Sequence, residues 1–554
     1  MGSTGEWEQI VSEKRRLRDN ALKPYMVSDL DQRVPQVHNV HERSRFQNDL
    51  VSQSITDIDN ISFLLERLRS GIYTAEQVAR AYIQRAVIAH QLTNAITEPV
   101  FDDALAQARE LDRHFQSTGE LVGPLHGIPV TVKDQFNLRG VDTTLGYVGR
   151  SFSPAMEDAV IVQMLKKMGA IVLLKTNLPQ TLMWAETENP LWGRTVNPRN
   201  PDFIPGGSSG GEGPLLALHT SIFGLGTDIG GSIRIPGSIR IPGSMNGIYA
   251  FKPTSSRYPV IGVPGPAEGQ EHVNFSCGPM TRDMDSLCYV NRLIASNEPW
   301  ELDPACAPLP WNEISFQEMQ TRPLVIGIIR DDGIVKVHPP IARALEEVTA
   351  KLKQNGHEII TWDSSDHRSC VELMDRYYAV DGFEDVLRDI NAAGEPMIPH
   401  VQMLADRAKE QQLSVYEYWQ LNKKKHAMRQ KFLQRWNAMR SPSGKPLDVL
   451  LGPTTAHTAI PHRKLRWVGY TKVWNLLDYP AVTFPVDKVR EEIDTQESDY
   501  QPRNELDAWN WALYDAHAMN GHPVNLQVIG KTLNDEKVLG AATAIEKIWK
   551  RHNR

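Results

Sequence analysis

The chain has little cysteine, and the few cysteines show no pattern of pairing. Its 554 residues include four, none of them in a Cys-x-x-Cys spacing. Disulfide scaffolds and zinc ribbons need denser and more regular cysteine patterns than this. The composition therefore excludes both classes and is typical of reduced thiols in an intracellular protein, for which we predict a cytoplasmic location. The four are Cys277, Cys288, Cys306 and Cys370.

Long apolar runs and an excess of basic charge are also missing. No stretch reaches the ~18 apolar residues that a membrane span requires. The first residues, Met-Gly-Ser-Thr-Gly-Glu-Trp-Glu, contain no apolar signal region. Asp and Glu number 67 against 60 Lys and Arg, which gives a net charge of −7. We therefore expect a protein that binds neither membranes nor nucleic acid.

Motifs of other enzyme classes are absent or incomplete. The 17 histidines are scattered without a His-Glu-x-x-His pattern, so no metal site is predicted. Gly206–Gly210 fits the Gly-x-Ser-x-Gly elbow of α/β hydrolases, but Asn197–Pro205 before it does not resemble the strand that this motif needs. Gly224–Gly230 imitates a dinucleotide-binding loop, but Pro236 interrupts any early helix after it.

Two clusters of glycine and serine are the most informative feature that is present. Pro205–Gly213 reads Pro-Gly-Gly-Ser-Ser-Gly-Gly-Glu-Gly, and Gly226–Arg234 reads Gly-Thr-Asp-Ile-Gly-Gly-Ser-Ile-Arg. Because glycine has no Cβ, the backbone can bend sharply at such places and approach a ligand closely. Serine hydroxyls and backbone N–H groups can then converge on one oxygen, which is the arrangement that acyl transfer needs.

A hydroxyl nucleophile also needs a base, and Lys133 is the candidate. It follows a short β-branched run within Gly127–Asp134, which predicts a buried strand. Burial disfavours the charged ammonium and lowers the pKa of a lysine. We therefore predict that Lys133 is neutral and basic, whereas its neighbour Asp134 is expected to hold structure.

Helix and strand patterns alternate along most of the chain. This alternation favours a single large α/β domain with a mixed β-sheet flanked by helices, over residues 58–554. Residues 1–57 are predicted as an N-terminal helix followed by a polar arm. Residues 370–440 read as mostly helical, which fits either a pocket wall or a plain packing layer. Helices are predicted at 61–69, 74–88, 102–115, 159–167, 339–354 and 536–549, and strands at 128–132, 171–174, 324–329, 359–361, 449–451, 481–486 and 524–529.

The order of Lys133 and the two serine clusters resembles the amidase signature family of serine hydrolases. Further segments are similar to its fungal acetamidase and general amidase branch, so the resemblance extends over roughly residues 5–550. Those segments are Gly123–Gly127, Thr176–Gln180, Gly193–Asn200, Ala392–Pro399 and Val524–Gly530. The resemblance implies the amidase signature fold and catalysis without a metal or another cofactor.

The same resemblance implies a role for each residue of the site. Lys133 would be the base, and Ser208 would relay a proton between it and the nucleophile Ser232. In relatives the peptide bond before the relay serine is cis. Ser209 would donate a supporting hydrogen bond to the site.

The loop before the nucleophile would stabilise the oxyanion. The backbone N–H groups of Ile229, Gly230 and Gly231 would point at it together with that of Ser232. Asp228 and Arg234 would form an ion pair that braces this loop.

The chain departs from its family immediately after the nucleophile. Ser232–Gly237 reads Ser-Ile-Arg-Ile-Pro-Gly and is repeated at once as Ser238–Gly243, where relatives have one copy. Ser232 keeps the glycine-rich approach, whereas Ser238 keeps its distance to the downstream Asn246–Pro253. Since Pro236 precedes Ser238 and has no N–H for an oxyanion, the sequence favours Ser232.

We expect an amidase that hydrolyses small carboxamides to carboxylate and ammonia. Two alternatives stay open: an amide or ester hydrolase of one specialised pathway, and a paralogue that the duplication has impaired. The predicted partner is the small-molecule amide itself. A homodimer also stays open, because the sequence does not define the oligomeric state.

Overall fold

The fold is known from a computed structural model that describes residues 5–28, 30, 49–230, 238–409 and 411–552. Within them, eleven of the thirteen strands form one mixed sheet. The strand order is β1-β3-β2-β6-β8-β7-β12-β13-β11-β9-β10. The strands are β1 Ile96–Pro99, β2 Pro129–Lys133, β3 Ile171–Thr176, β4 Glu188–Asn189, β5 Gly193–Arg194, β6 Phe223–Asp228, β7 Tyr249–Lys252, β8 Ser276–Thr281, β9 Val325–Ile328, β10 Glu358–Thr361, β11 Val449–Pro453, β12 Ala481–Lys488 and β13 Pro523–Ile529.

Helices cover the sheet, so the predicted α/β class with a mixed, helix-flanked sheet is confirmed. Their bounds are α1 Glu6–Leu22, α2 Leu50–Thr56, α3 Ile61–Arg69, α4 Ala75–Thr93, α5 Phe101–Thr118, α6 Val160–Lys167, α7 Glu212–Ala217, α8 Arg240–Asn246, α9 Met284–Ser296, α10 Glu313–Thr321, α11 Pro339–Gln354, α12 His367–Tyr377, α13 Glu384–Asn391, α14 Pro399–Ala408, α15 Val415–Ala438, α16 Gly469–Leu476, α17 Glu505–Ala512 and α18 Asp535–His552. In the described chain, no helix is long and apolar enough to cross a membrane.

Local sequence signals account for several of these boundaries. Thr74 caps α4 through the backbone N–H of Gln77, whose side chain bonds back to Thr74, as the capping-box pattern predicts. The helix then runs five residues beyond the predicted end at Ile88, to Thr93. Asn94 ends it in the left-handed conformation, with φ of 52°.

Strands β6, β7 and β8 were not predicted, although β6 lies near the middle of the sheet. Its sequence, Phe-Gly-Leu-Gly-Thr-Asp, lacks the β-branched run of a typical strand. The glycines are explained by contacts: a Cβ on Gly224 would lie 2.0 Å from Glu212 Oε2, and one on Gly226 would lie 2.6 Å from Ser209 Oγ. The glycines therefore serve close packing against α7 and the first serine cluster.

Buried ion pairs hold the N-terminal helix α1 against the rest of the protein. Lys14 Nζ contacts Asp142 at 2.9 Å and also pairs with Glu98. Residues 31–48 of the predicted arm lie outside the described residues, while its end forms helix α2. The division of the chain at residue 57 stays a prediction.

Candidate active site

The site forms where two neighbouring parallel strands end. Strands β2 and β6 pair in parallel, with Val132 opposite Leu225. Their carboxyl ends therefore bring Lys133 of β2 beside Thr227 of β6. Open α/β sheets characteristically bind their ligands at this edge.

Lys133 is fully buried and surrounded by hydroxyl groups. Its Nζ lies 2.5 Å from Ser208 Oγ and 2.8 Å from Thr227 Oγ1. Burial lowers the pKa of Lys133 to about 7, against the weaker opposing effect of the Asp228 carboxylate and other nearby groups. A lysine with this pKa is largely neutral above pH 7 and can accept a proton there.

Thr227 and Gln135, which the sequence analysis did not select, orient that lysine. Thr227 Oγ1 donates to Gln135 Oε1 at 2.7 Å. Its hydroxyl proton is thereby used, so Thr227 accepts a hydrogen bond from Lys133 Nζ. A neutral amine that donates to Thr227 can turn its lone pair toward Ser208.

The first serine cluster holds Ser208 and Ser209 in a sharp turn. Gly206 has φ of 84°, and the Gly207–Ser208 peptide bond is cis, the form that the resemblance implies. Ser209 Oγ accepts from the Thr227 N–H at 3.3 Å. This contact joins the turn to the end of β6 next to Lys133.

The oxyanion candidates are described in part. The Ile229 carbonyl accepts from Tyr378 Oη at 2.9 Å, and the Gly230 carbonyl accepts from Thr471 Oγ1 at 3.4 Å. In a trans peptide the N–H points away from the carbonyl, so the Gly230 N–H faces away from Tyr378. Gly231, Ser232 and Arg234 lie outside the described residues, and their roles stay predictions.

Asp228 is held by the second copy of the repeat. Its carboxylate accepts from Arg240 Nε at 2.9 Å, Arg240 Nη2 at 3.0 Å, Ser238 Oγ at 2.5 Å and Asn475 Nδ2 at 2.8 Å. Burial raises the pKa of Asp228, but Arg240, Lys252 and Ser238 together outweigh burial and keep that pKa below its usual value. Arg240 thus makes the ion pair that the sequence analysis predicted for Arg234.

A second buried acid, Glu212, lies beside Thr131 of β2 and Thr176 of β3. It accepts from Thr131 Oγ1 at 2.7 Å and from Thr176 Oγ1 at 2.9 Å. Burial raises the pKa of Glu212 to about 7, although the two hydroxyls and the charge of Lys133 oppose the shift. Lys133 and Glu212 therefore titrate in the same range and influence each other.

A cavity of about 1090 Å³ opens beside Ser208 and Ile229. Helices α12 and α15 contribute Tyr377 and Tyr418 to its wall, so the helical region 370–440 does form a pocket wall. Trp192 does not line the cavity and packs under α1, with Arg18 5.4 Å from its ring centroid. The cavity is larger than a small carboxamide and has an aromatic side.

Comparison with known proteins agrees with this arrangement. The Amidase family profile matches residues 77–236 and 237–539, two blocks that meet inside the repeat. "Amidase 1" of Gibberella moniliformis is 49% identical over 98% of this chain and 99% of its own. The "Acetamidase" of Emericella nidulans is 36% identical over 98% of both chains.

Solved structures place the fold in the same group. A structure described as "Fatty acid amide hydrolase" superposes with a TM-score of 0.89 at 31% identity, over 98% of this chain and 95% of that one. A bacterial aryl acylamidase of the amidase signature enzymes has a TM-score of 0.69 at 20% identity, over 89% of this chain and 97% of its own; it supports the fold alone. The chain belongs to the amidase signature family and is an enzyme of the amidase class.

Proposed function

We propose that this enzyme hydrolyses the C–N bond of carboxamides through an acyl-enzyme formed by Lys133, Ser208 and a serine of the repeat. One observation carries the proposal: a buried lysine with a pKa near 7 contacts Ser208 at the edge of a cavity. Such a lysine is a base at neutral pH, and the serine it contacts can pass a proton onward. The sequence analysis favours Ser232 as the nucleophile.

The proposed reaction balances without a cofactor. Neutral Lys133 takes the proton of Ser208, which takes the proton of the nucleophilic serine as its oxygen bonds to the carbonyl carbon. The relay then returns a proton to the nitrogen, and the C–N bond breaks to release ammonia or an amine. Water, activated by the same relay, hydrolyses the ester to free the carboxylate and regenerate the serine.

Cavity size supports acyl groups larger than acetyl. A volume of about 1090 Å³ lies near the upper end for small-molecule sites. Each buried methylene contributes about 0.8 kcal/mol, or roughly fourfold in binding. We therefore expect kcat/KM to rise from acetamide to butyramide and phenylacetamide. A panel in which acetamide alone is turned over would restrict the enzyme to small carboxamides.

Ammonia release from this panel tests the proposal itself, with Lys133→Met as the matched variant. Wild-type protein should release ammonia and the variant should not, while both show the same thermal unfolding. Methyl esters of the same acids in parallel would reveal a hydrolase specialised for esters. Amide turnover by the Lys133→Met variant would remove lysine from the mechanism.

An impaired paralogue is the second candidate. The observation in its favour is that Ser238 Oγ bonds to Asp228 in this structure rather than to Ser208. Purified wild-type protein that neither releases ammonia from any amide nor reacts with an acyl-serine probe would establish it.

A further inference from the structure

The two copies of the repeat have the same sequence, so either could make the contacts with Asp228 and the first serine cluster. Among the described residues, the second copy makes them. Helix α8 begins within that copy, at Arg240. Asn246, at its last turn, donates to the Pro205 carbonyl at 2.8 Å. The helix that begins in the second copy is thereby joined to the first serine cluster.

Glycines of both clusters, together with Gly278 of β8, form a groove that the second copy fills. A Cβ on Gly226 would lie 2.5 Å from Ile239 Cγ2, and one on Gly278 would lie 2.7 Å from Ile239 Cδ1. A Cβ on Gly206 would lie 2.9 Å from Pro242 Cα. Because these contacts leave no space even for a methyl group, the groove accommodates one copy of the hexapeptide.

The acceptor positions of the Asp228 carboxylate are all used by described residues. Asp228 has about four lone-pair sites, and Arg240, Ser238 and Asn475 occupy them with four hydrogen bonds. Arg240 is itself fully buried and also donates to Asn475 Oδ1 at 2.6 Å. In a chain with one copy, the serine two residues before this arginine would be the nucleophile. Here that serine is Ser238.

The backbone of Ser238 lies directly beside the relay serine. Ser208 and Ser238 form a parallel β-bridge, and the Ser238 N–H donates to the Gly207 carbonyl at 3.0 Å. Bridged residues are separated by about 4.8 Å across the ladder. The Ser238 Oγ, which now donates to Asp228 and accepts from the Arg240 N–H, can reach Ser208 by rotating about χ1 to another staggered position.

We propose that Ser238, and not Ser232, is the nucleophile of this enzyme; the proposal rests on the proposed amide hydrolysis. Ser238 Oγ gives its proton to Ser208 and bonds to the carbonyl carbon, and the returned proton leaves with the amine nitrogen when the C–N bond breaks. The Ser238 N–H is engaged by Gly207, so a different N–H stabilises the oxyanion. The Gly230 N–H, which faces away from Tyr378, is the candidate among the described residues.

Peptide mapping after labelling with a fluorophosphonate tests the assignment without any substitution. Trypsin cleaves after Arg199, Arg234 and Arg240. Ser232 then falls in peptide 200–234, whereas Ser238 falls alone among serines in the hexapeptide Ile-Pro-Gly-Ser-Ile-Arg at 235–240. We expect the label on the hexapeptide. A label on Ser232 would overturn the assignment.

Two variants and a single-copy chain complete the experiment. Ser238→Ala should lose the label and reduce amide turnover by about 10³-fold or more, while Ser232→Ala should keep the label on the hexapeptide. Deleting 232–237 or 238–243 yields the same chain, because the copies are identical. Amide turnover by wild type with the label on Ser232 would exclude Ser238 and leave the proposed function standing. Wild type that takes no label and hydrolyses no amide would overturn the proposed function, and a single-copy chain that does both would identify the duplication as the cause.

Discussion

Two buried lysines at the ends of neighbouring strands show how the groups that contact a buried lysine determine its role. Lys133 ends β2 and Lys175 lies in β3, where it pairs with Val132, and both side chains are fully buried. Burial lowers the pKa of each. Lys175 donates to the Asp142 carbonyl at 2.6 Å and to Thr143 Oγ1 at 2.9 Å, and it lies 3.8 Å from Asp134 Oδ1. The Asp134 carboxylate favours the charged ammonium, and Thr143 does not line the cavity.

Lys133 contacts two hydroxyl groups, both of which line the cavity, and hydroxyls both donate and accept. The Thr227 hydroxyl is committed to Gln135, so the Ser208 hydroxyl is the proton within reach of the lysine. We conclude that Lys175 serves as a structural cation and that Lys133 is suited to act as a base. Each prediction below changes one side of this comparison.

The largest expected effect separates the two lysines. Lys133→Met should lower kcat/KM for amides by about 10⁴-fold or more, because the relay loses its base. Its stability should not fall, since methionine fills the site without the cost of burying an amine. Lys175→Met should lower the free energy of unfolding by roughly 3–5 kcal/mol, because it leaves Asp134 buried without its cation. Urea unfolding and ammonia release measure both quantities.

The opposite pattern would contradict the comparison. If Lys175→Met were inactive but fully stable, or Lys133→Met active, the partner set would not determine the role. As a control, we expect Lys175→Met that is folded at low temperature to have the same kcat/KM as wild type.

Much of this contrast could be predicted from sequence. The strand-end position of Lys133 and the glycine-rich serine turn are local patterns, and the structure places Lys133 in contact with Ser208; their roles as base and relay stay predictions. Thr227 was missed because β6 was missed: its two glycines, required by Glu212 and Ser209, hide the strand pattern. With β6 recognised, pairing with β2 would have placed Thr227 beside Lys133.

The choice between the two copies of the repeat could not be made reliably from sequence. Identical hexapeptides carry no local difference, and the absence of an N–H on Pro236 favoured Ser232. The contacts of Ile239, Arg240 and Pro242 with distant glycines and Asp228 are tertiary. Such contacts arise only when strands far apart in sequence are brought together.

A smaller effect is expected when the orientation of Lys133 is disturbed. Thr227→Val removes the acceptor that holds Nζ, so kcat should fall about 10- to 100-fold, the equivalent of one good hydrogen bond. KM should change little, because Thr227 acts through the lysine. Thr227→Ser restores a hydroxyl and should recover most of the rate. Equal kcat for Thr227→Val and wild type would show that the lysine needs no such partner.

The smallest effect concerns the buried carboxylate of Glu212 near Lys133. The Glu212 carboxylate raises the pKa of Lys133, so Glu212→Gln should lower it and move the rise of kcat/KM toward lower pH. Glu395→Gln is the matched control, because burial also raises the pKa of Glu395 to about 7 but Gln180 and Val148 surround it instead. A shift of the same size in both variants would mean that Glu212 has no specific influence on Lys133.

The pH dependence of kcat/KM for wild-type enzyme tests most directly whether Lys133 is the base. A lysine whose pKa burial has lowered to about 7 is charged and inactive below that pH, and neutral and active above it. The rate should therefore rise as the pH increases through about 7 and level off on the alkaline side. A profile that is flat from about pH 6 to 9, or that falls across this range, would contradict a neutral Lys133 as the base.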